Sequence, residues 1–498
     1  MVKKIFIIFI AILLLSGISN ASTLYKVRAA EHQNKIRLVF DFSGAFSYET
    51  DETKKELVIK FANTLAGPEI KDYVEVNDLV VRYLKIERLG EADLKITIPL
   101  AQEVDYNIFY LNDPPRLVID FERDFLSITS GGTIKKGITF LEVKQGTASG
   151  LIKAHVLKID LDQVYVKPAL AMKYQENFVE SFVSLLTPWM NSDKKKHFFI
   201  EKVSEIAGRQ NAVAAINGTF FASNGVPLGA LLIDQELVSS PIYDRTALFF
   251  DEKNIPYIDN VSITSSFKIE DGGRYTIQGV NQSRGANEII MYTPIWGERT
   301  GSNSAGIELV VRRSKISEIN ISNSEIPKDG YVLSAQGQVV ESLSENAGLD
   351  KIINTGINII PHDASPIEII QLVSGGPRLL KNGLVYVSKH EEKFQNDIAK
   401  GRAARTAVGI TKQQDLLLVT VDGRLREKRI LDKSQDSIGA TLEELSKIML
   451  SLGATEAMNL DGGSSSTMVI NNEVVNLPTS GYERRVSNAL LLFPKENN

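Results

Sequence analysis

The chain has no cysteine in 498 residues. That excludes disulfides, thiolate-ligated zinc, iron–sulfur clusters and a thiol nucleophile. It also excludes the lipid-modified cysteine of a bacterial lipoprotein anchor. Histidine is scarce, and only His32, His155, His197, His362 and His390 occur. No two share metal-ligand spacing, so a HExxH-type zinc helix is absent. A basic excess is lacking as well: 56 Lys and Arg stand against 61 Asp and Glu, for a formal charge of −5. Phosphate backbones demand a basic surface, so no nucleic-acid partner is expected. Glycine and proline, 35 and 16 residues, stay below the level of low-complexity disorder.

What is present begins with a targeting pattern. Lys3 and Lys4 precede an apolar run over residues 5–15, and Ser19-Asn20-Ala21 offers small residues where a signal peptidase reads. A cleaved signal over 1–21 is expected, with export to the periplasm or cell envelope. No later run reaches membrane-spanning length. Residues 22–126 alternate with period two: Ile36, Leu38, Phe40 and Phe42 share one face, as do Leu57, Ile59 and Phe61, then Leu94, Ile96 and Ile98, then Leu117, Ile119 and Phe121. This predicts a small antiparallel β-sandwich. The Gly/Ser/Thr-rich stretch 127–132 reads as part of a linker over 127–136. From 137 to 498 strands mix with helices. The expected class is α+β, a small N-terminal antiparallel β-sandwich followed by a larger mixed α/β domain with a central sheet. Thr441 and Glu444 form a capping box before the stripe Leu442, Leu445, Ile448, Met449 and Leu452, with Gly453 at the C-terminal end. A second helix is expected over 199–207.

Each helix leads into a short strand that ends in a polar turn. The first is Asn217-Gly218-Thr219-Phe220-Phe221; the second is Asn459-Leu460-Asp461-Gly462-Gly463-Ser464-Ser465-Ser466. Paired glycines permit positive φ and allow successive N–H groups to form an anion-binding concavity. A type I′ hairpin turn is the plain alternative for Asn217-Gly218. A third cluster is Ser374-Gly375-Gly376-Pro377, and a fourth runs from Arg402 and Arg405 to Asp422-Gly423. A guanidinium entering an apolar strand at Arg405 needs a partner, either a phosphate or carboxylate ligand or a structural salt bridge.

Residues 27–63 with the later "PPRLVIDF" resemble the AMIN domain, found on exported envelope proteins, which implies cell-wall association. Over residues 137–494 the boxes "INGTFF", "SGGP", "RTAVGI", Asp422-Gly423-Arg424, "NLDGGSSS" and "RVSNA", in this order, resemble the phosphodiester glycosidase family. Thr219 stands where the family commonly has a second glycine, and its side chain narrows the turn. The resemblance implies hydrolysis of a sugar-1-phosphodiester, of the GlcNAc-1-phosphodiester kind, on envelope or exopolysaccharide glycans. On that reading Asp461, Arg405 and Asn217 carry catalysis: a carboxylate beside the oxocarbenium-like sugar, a cation for the leaving phosphate, and an amide orienting the sugar. Gly218, Thr219, Phe220, Gly375, Gly376, Asp422, Asn459, Gly462, Gly463, Ser464 and Ser465 would line the substrate. Glu308 and Asp422 are candidates for a second carboxylate. No cofactor is expected; Ca²⁺ or Mg²⁺ on Asp461, Asp422 and loop carbonyls stays open, with no Asp/Asn ladder in its favour. A non-catalytic protein binding glycan or anionic polymer is the rival reading. A zinc amidase and a Ser–His–acid hydrolase lack the required histidines.

Overall fold

The computed structural model describes residues 21–172, 198–365, 367–427 and 432–495. The expected signal peptide falls almost wholly outside them. Among the described residues strands account for 52% and helices for 8%, so the coarse α+β class holds with β strongly dominant.

The N-terminal unit, essentially residues 21–125, has two five-stranded sheets. Leu38, Phe40, Leu57, Ile59, Ile96, Leu117, Ile119 and Phe121 are all buried in one core. Strands Lys35–Phe42 and Pro115–Glu122 pair antiparallel with Leu38 opposite Ile119. In that register Arg37 faces Asp120, and a two-pronged ion pair at 2.7 and 2.8 Å joins them. The alternation of apolar and charged residues thus sets both face and register.

In the larger unit, residues 127–135, expected to link two domains, instead lie within the strand Phe125–Lys135. It leads through Gly137, φ +82°, into Ile138–Thr147. Ile128, Thr129, Thr133 and Ile134 supply β-branched residues on both sides of the two glycines and outweigh them.

An eight-stranded sheet begins with these two strands and Gly150–Ile159. It continues with Leu416–Val421, Arg405–Thr411, Ala454–Asn459, Arg378–Lys381 and Leu384–Val385. A five-stranded sheet contains Val164–Leu170, Asn488–Pro494, Ala214–Asn217, Met468–Ile470 and Glu473–Val474. Their facing sides share one core: Val408, Ile410, Leu416, Leu418 and Met458 from the first meet Ile216, Met468, Leu490 and Leu492 from the second. Alternate residues face outward under helices. Ala407, Leu417, Val419 and Ala457 lie beneath helix Leu442–Ser451. Ala215, Val469 and Leu491 lie beneath helix Val203–Gln210. This helix–sheet–sheet–helix layering explains why these strands read as continuous apolar runs, since both faces are covered.

The capping box of Leu442–Ser451 forms as read from the sequence. Glu444 N–H donates to Thr441 Oγ1 at 3.1 Å, and Thr441 N–H donates to Glu444 Oε2 at 2.9 Å. The other helix starts later than expected, because Glu201–Lys202 pair as a short strand with Arg485–Val486. A seven-stranded and another five-stranded sheet, largely from residues 230–372, surround a further core.

Candidate functional site

The strands Ala214–Asn217 and Ala454–Asn459 deliver their polar ends to one place. Buried Asn217 is the clasp. Its Nδ2 donates to the Asp461 carbonyl at 2.6 Å. Its Oδ1 accepts from Thr406 Oγ1 at 2.8 Å and from Thr467 N–H at 3.1 Å. Asp461 N–H donates to the Gly218 carbonyl at 3.3 Å. Asn217-Gly218 is therefore not a hairpin turn, because its strand pairs with Met468–Ile470 and Asn488–Pro494. Glycine at 218 answers a close approach: a Cβ there would lie 2.0 Å from Asn488 Oδ1. Thr219 N–H donates to that same oxygen at 2.9 Å.

The Ser374–Pro377 box docks on Asn459. Gly376 N–H donates to the Asn459 carbonyl at 2.7 Å, and Asn459 Nδ2 returns a bond to the Gly376 carbonyl at 3.0 Å. A Cβ at Gly375 would approach Asn459 O to 2.5 Å. Phe220 packs on Phe394, whose ring lies 4.0 Å from the Arg245 guanidinium.

Asp461 is the chemically poised group. Loss of hydration pushes its carboxyl up to about 6, although Ser465, the Arg484 cation and the Gly462 N–H pull the other way. Arg484 Nη1 donates to Ser465 Oγ at 2.8 Å, and its guanidinium lies 5.1 Å from the Phe221 ring centre. An exposed cation thus stands beside the carboxyl through one serine. Gly463 has φ +62°, the left-handed geometry an anion concavity needs. However, its N–H donates to Ala404 O at 2.8 Å, and that of Gly462 bonds the Asp461 carboxyl. The expected Gly-Gly anion hole is spent internally.

Three other expectations are corrected by the geometry. Arg405 does not face the site. Successive strand side chains alternate, so with Thr406 turned to Asn217, Arg405 turns to the helix-covered face. There its guanidinium, in a residue 3% exposed, donates to Ala440, Ile398 and Gly401 carbonyls at 3.0–3.1 Å. Neither the expected phosphate nor a salt bridge supplies its hydrogen bonds; main-chain oxygens do. Asp422 is engaged elsewhere: its Oδ2 meets His155 Nε2 at 3.0 Å and its Oδ1 accepts from Leu477 N–H at 2.8 Å. Glu308 lies fully buried in another sheet, between Ser302, Ser324 and Ser334. Burial alone would raise its pKa, but those donors together hold it below the usual carboxylate value. Neither carboxylate is a free partner for Asp461.

Sequence reasoning missed Arg484, Thr406, Thr467 and the His155–Asp422 pair. Nothing local marks His155, whose partner lies 267 residues away. Buried polar atoms without hydrogen-bond partners gather on the same boxes: Thr219 Oγ1, Asn459 Oδ1, Ser466 Oγ, Thr467 Oγ1, Ser487 Oγ and Asn488 Nδ2. Such atoms are costly unless water or ligand completes them. Among the described residues no group of three or more His, Asp or Glu is arranged to hold a metal.

The converging boxes define a class. Residues 304–493 match the family model described as phosphodiester glycosidase, a span that holds every box except the one at Asn217. Among individual proteins, N-acetylglucosamine-1-phosphodiester alpha-N-acetylglucosaminidase of Bos taurus is 31% identical over 119 residues, 22% of this chain and 21% of its own length. The Homo sapiens protein of that name is 29% identical over 123 residues, again 21% of its length. The chain thus matches about a fifth of these relatives, which are hydrolases, and the match supports a glycosidase-type function. Two solved structures share the fold. A hypothetical protein from Synechocystis has a TM-score of 0.60 at 22% identity, covering 96% of this chain and 81% of its own. A protein of Burkholderia pseudomallei K96243 described as exported has a TM-score of 0.55 at 18% identity, covering 91% and 97%. No helix among the described residues is long and apolar enough to cross a membrane.

Proposed function

We propose that this chain is an exported glycosidase that hydrolyses a sugar-1-phosphodiester at the anomeric carbon, on envelope or exopolysaccharide glycans. The observation that carries it is Asp461, a carboxyl raised to about 6 with the Arg484 cation beside it, at the point where the boxes meet. A phosphate leaves as an anion and needs little acid help. It needs electrostatic stabilisation, which Arg484 provides in place of the buried Arg405. Asp461 acts as base: as the C1–O bond breaks, it takes a proton from the water that adds to C1, giving free sugar and a phosphomonoester. Its raised pKa makes it a stronger base than an ordinary carboxylate while leaving it ionised at neutral pH. Asn217 holds the loop by its carbonyl, so it is a positioning residue. Asn459 and Asn488, both buried, hold the Gly376 and Thr219 segments around the site and are positioning residues as well. The AMIN-like unit would hold the enzyme to the cell wall.

The test is release of free sugar from UDP-GlcNAc and related phosphodiesters by the purified chain. Turnover that falls at least about a hundredfold in Asp461→Asn supports the assignment. Binding of anionic glycan without turnover across the panel would favour the rival binding protein.

A further inference from the structure

A cavity of about 400 Å³ opens at the other ends of the strands that build the site. It is lined by Tyr257, Asp259, Asp363, Arg378, Lys381 and Glu456, among others. On strand Ala454–Asn459 it begins at Thr455 and Glu456, whereas Asn459 serves the Asp461 site. Three residues of strand separate Glu456 from Asn459, roughly 10 Å. We propose that this cavity is a separate saccharide-binding site, taking a neutral, hydroxyl-rich sugar ring, independent of turnover at Asp461.

Its wall is built rather than incidental. Arg378, 4% exposed, reaches carboxylates from three chain segments: Glu456 at 2.7 Å, and Asp259 and Asp363 at 3.4 Å each. Lys381 Nζ holds Asp363 at 2.6 Å, and Asn382 N–H fixes Glu456 at 2.7 Å. Asp259 Oδ2 accepts from Asp363 and Ala364 N–H at 2.6 and 3.0 Å. These bonds orient the polar groups before any ligand arrives, which lowers the ordering cost of binding.

The chemistry selects the ligand. Three carboxylates against two cations disfavour a phosphate. Every carboxylate is already bonded to Arg378, so a metal ion would have to displace it. Asp363, Lys381, Asn382 and Gln414 bring acceptors and donors side by side to the cavity. Tyr257, Ile258 and Ile410 add an apolar wall, and the Tyr257 ring is fixed in plane by stacking on Phe249 at 5.4 Å. Apolar surface for the C–H face of a ring, with paired donors and acceptors around it, is what a sugar presents a match for. The volume is of small-ligand size.

The experiment uses the full chain carrying Asp461→Asn, titrated calorimetrically with N,N′-diacetylchitobiose, cellobiose and maltose. At least one should bind. Ala364→Trp, which fills the cavity, should weaken that binding about tenfold or more, and Lys381→Ala should weaken it several-fold. Melting curves of both variants establish that they fold; Lys381→Ala, a half-exposed truncation, keeps the test alive if the tryptophan is not tolerated. No binding of any neutral saccharide at millimolar concentration would overturn the proposal. So would binding indifferent to both substitutions, or inorganic phosphate as the ligand that Ala364→Trp displaces.

Discussion

Asp461 should cost the enzyme stability in proportion to its catalytic usefulness. Its carboxyl is raised from 3.8 to about 6 by desolvation. At about 1.36 kcal/mol per pKa unit, a shift of about two units is worth about 3 kcal/mol. The residue keeps partial exposure, so hydration and salt screening reduce the expected effect to about 1–2 kcal/mol. The sign follows from linkage. A carboxyl with a raised folded-state pKa favours the folded state in its protonated form. That advantage is complete below about 3.8, and it is lost as pH rises through about 6. Asp461→Asn, which cannot ionise, should therefore be more stable than wild type at pH 8 and close to equal at pH 3.5. Trp296 is buried in the core of the larger unit, so urea unfolding followed by tryptophan fluorescence reports the unit that holds Asp461. A variant less stable at pH 8, or a difference that does not change with pH, would refute the reasoning.

Other substitutions separate site from scaffold. Arg484→Ala should lower kcat/KM for a sugar phosphodiester about tenfold or more, chiefly through kcat, and flatten its salt dependence, measured by steady-state kinetics, while melting barely moves. Arg405→Ala should do the opposite. It removes three hydrogen bonds to main-chain carbonyls, the one at Ala440 buried and those at Ile398 and Gly401 only part-buried, and should cost about 2 kcal/mol in denaturant unfolding. Gly218→Ala drives a methyl to 2.0 Å from Asn488 Oδ1; about 2 kcal/mol of stability and most of kcat should go with the displaced loop. Thr441→Ala should remove about 1 kcal/mol by losing the helix cap, without effect on kcat.

The sequence was most informative where chemistry is local. Period-two alternation in Lys35–Phe42 and Pro115–Glu122 revealed the buried face of each strand, while their pairing, Leu38 opposite Ile119, emerges only in the structure. The Thr441–Glu444 box revealed a helix start, because both bonds lie within four residues. Gly218 and Gly375, expected to line the substrate, sit where a Cβ would collide with Asn488 Oδ1 and with the Asn459 carbonyl. What escaped detection depends on long-range pairing. Arg405 looked like a ligand cation because the carbonyls that hold it come from loops near 400 and from Ala440, invisible to any spacing rule. His155 and Asp422 meet only because their strands are neighbours, with His155 opposite Thr420. The Gly462-Gly463 turn had the right conformation, but its donors were taken by Ala404 and Asp461. Residues 127–135 show that small residues do not mark a linker when β-branched pairs flank them.

The bond that breaks decides between hydrolysis at the sugar and hydrolysis at the phosphate. Hydrolysis of a sugar-1-phosphodiester in ¹⁸O-labelled water, with the products analysed by mass spectrometry, tests this most directly. Attack at the anomeric carbon places the label on the C1 hydroxyl of the released sugar and leaves the phosphomonoester unlabelled, and kcat/KM falls as pH drops through about 6. Label in the phosphate, or a rate indifferent to Asp461→Asn, would contradict it.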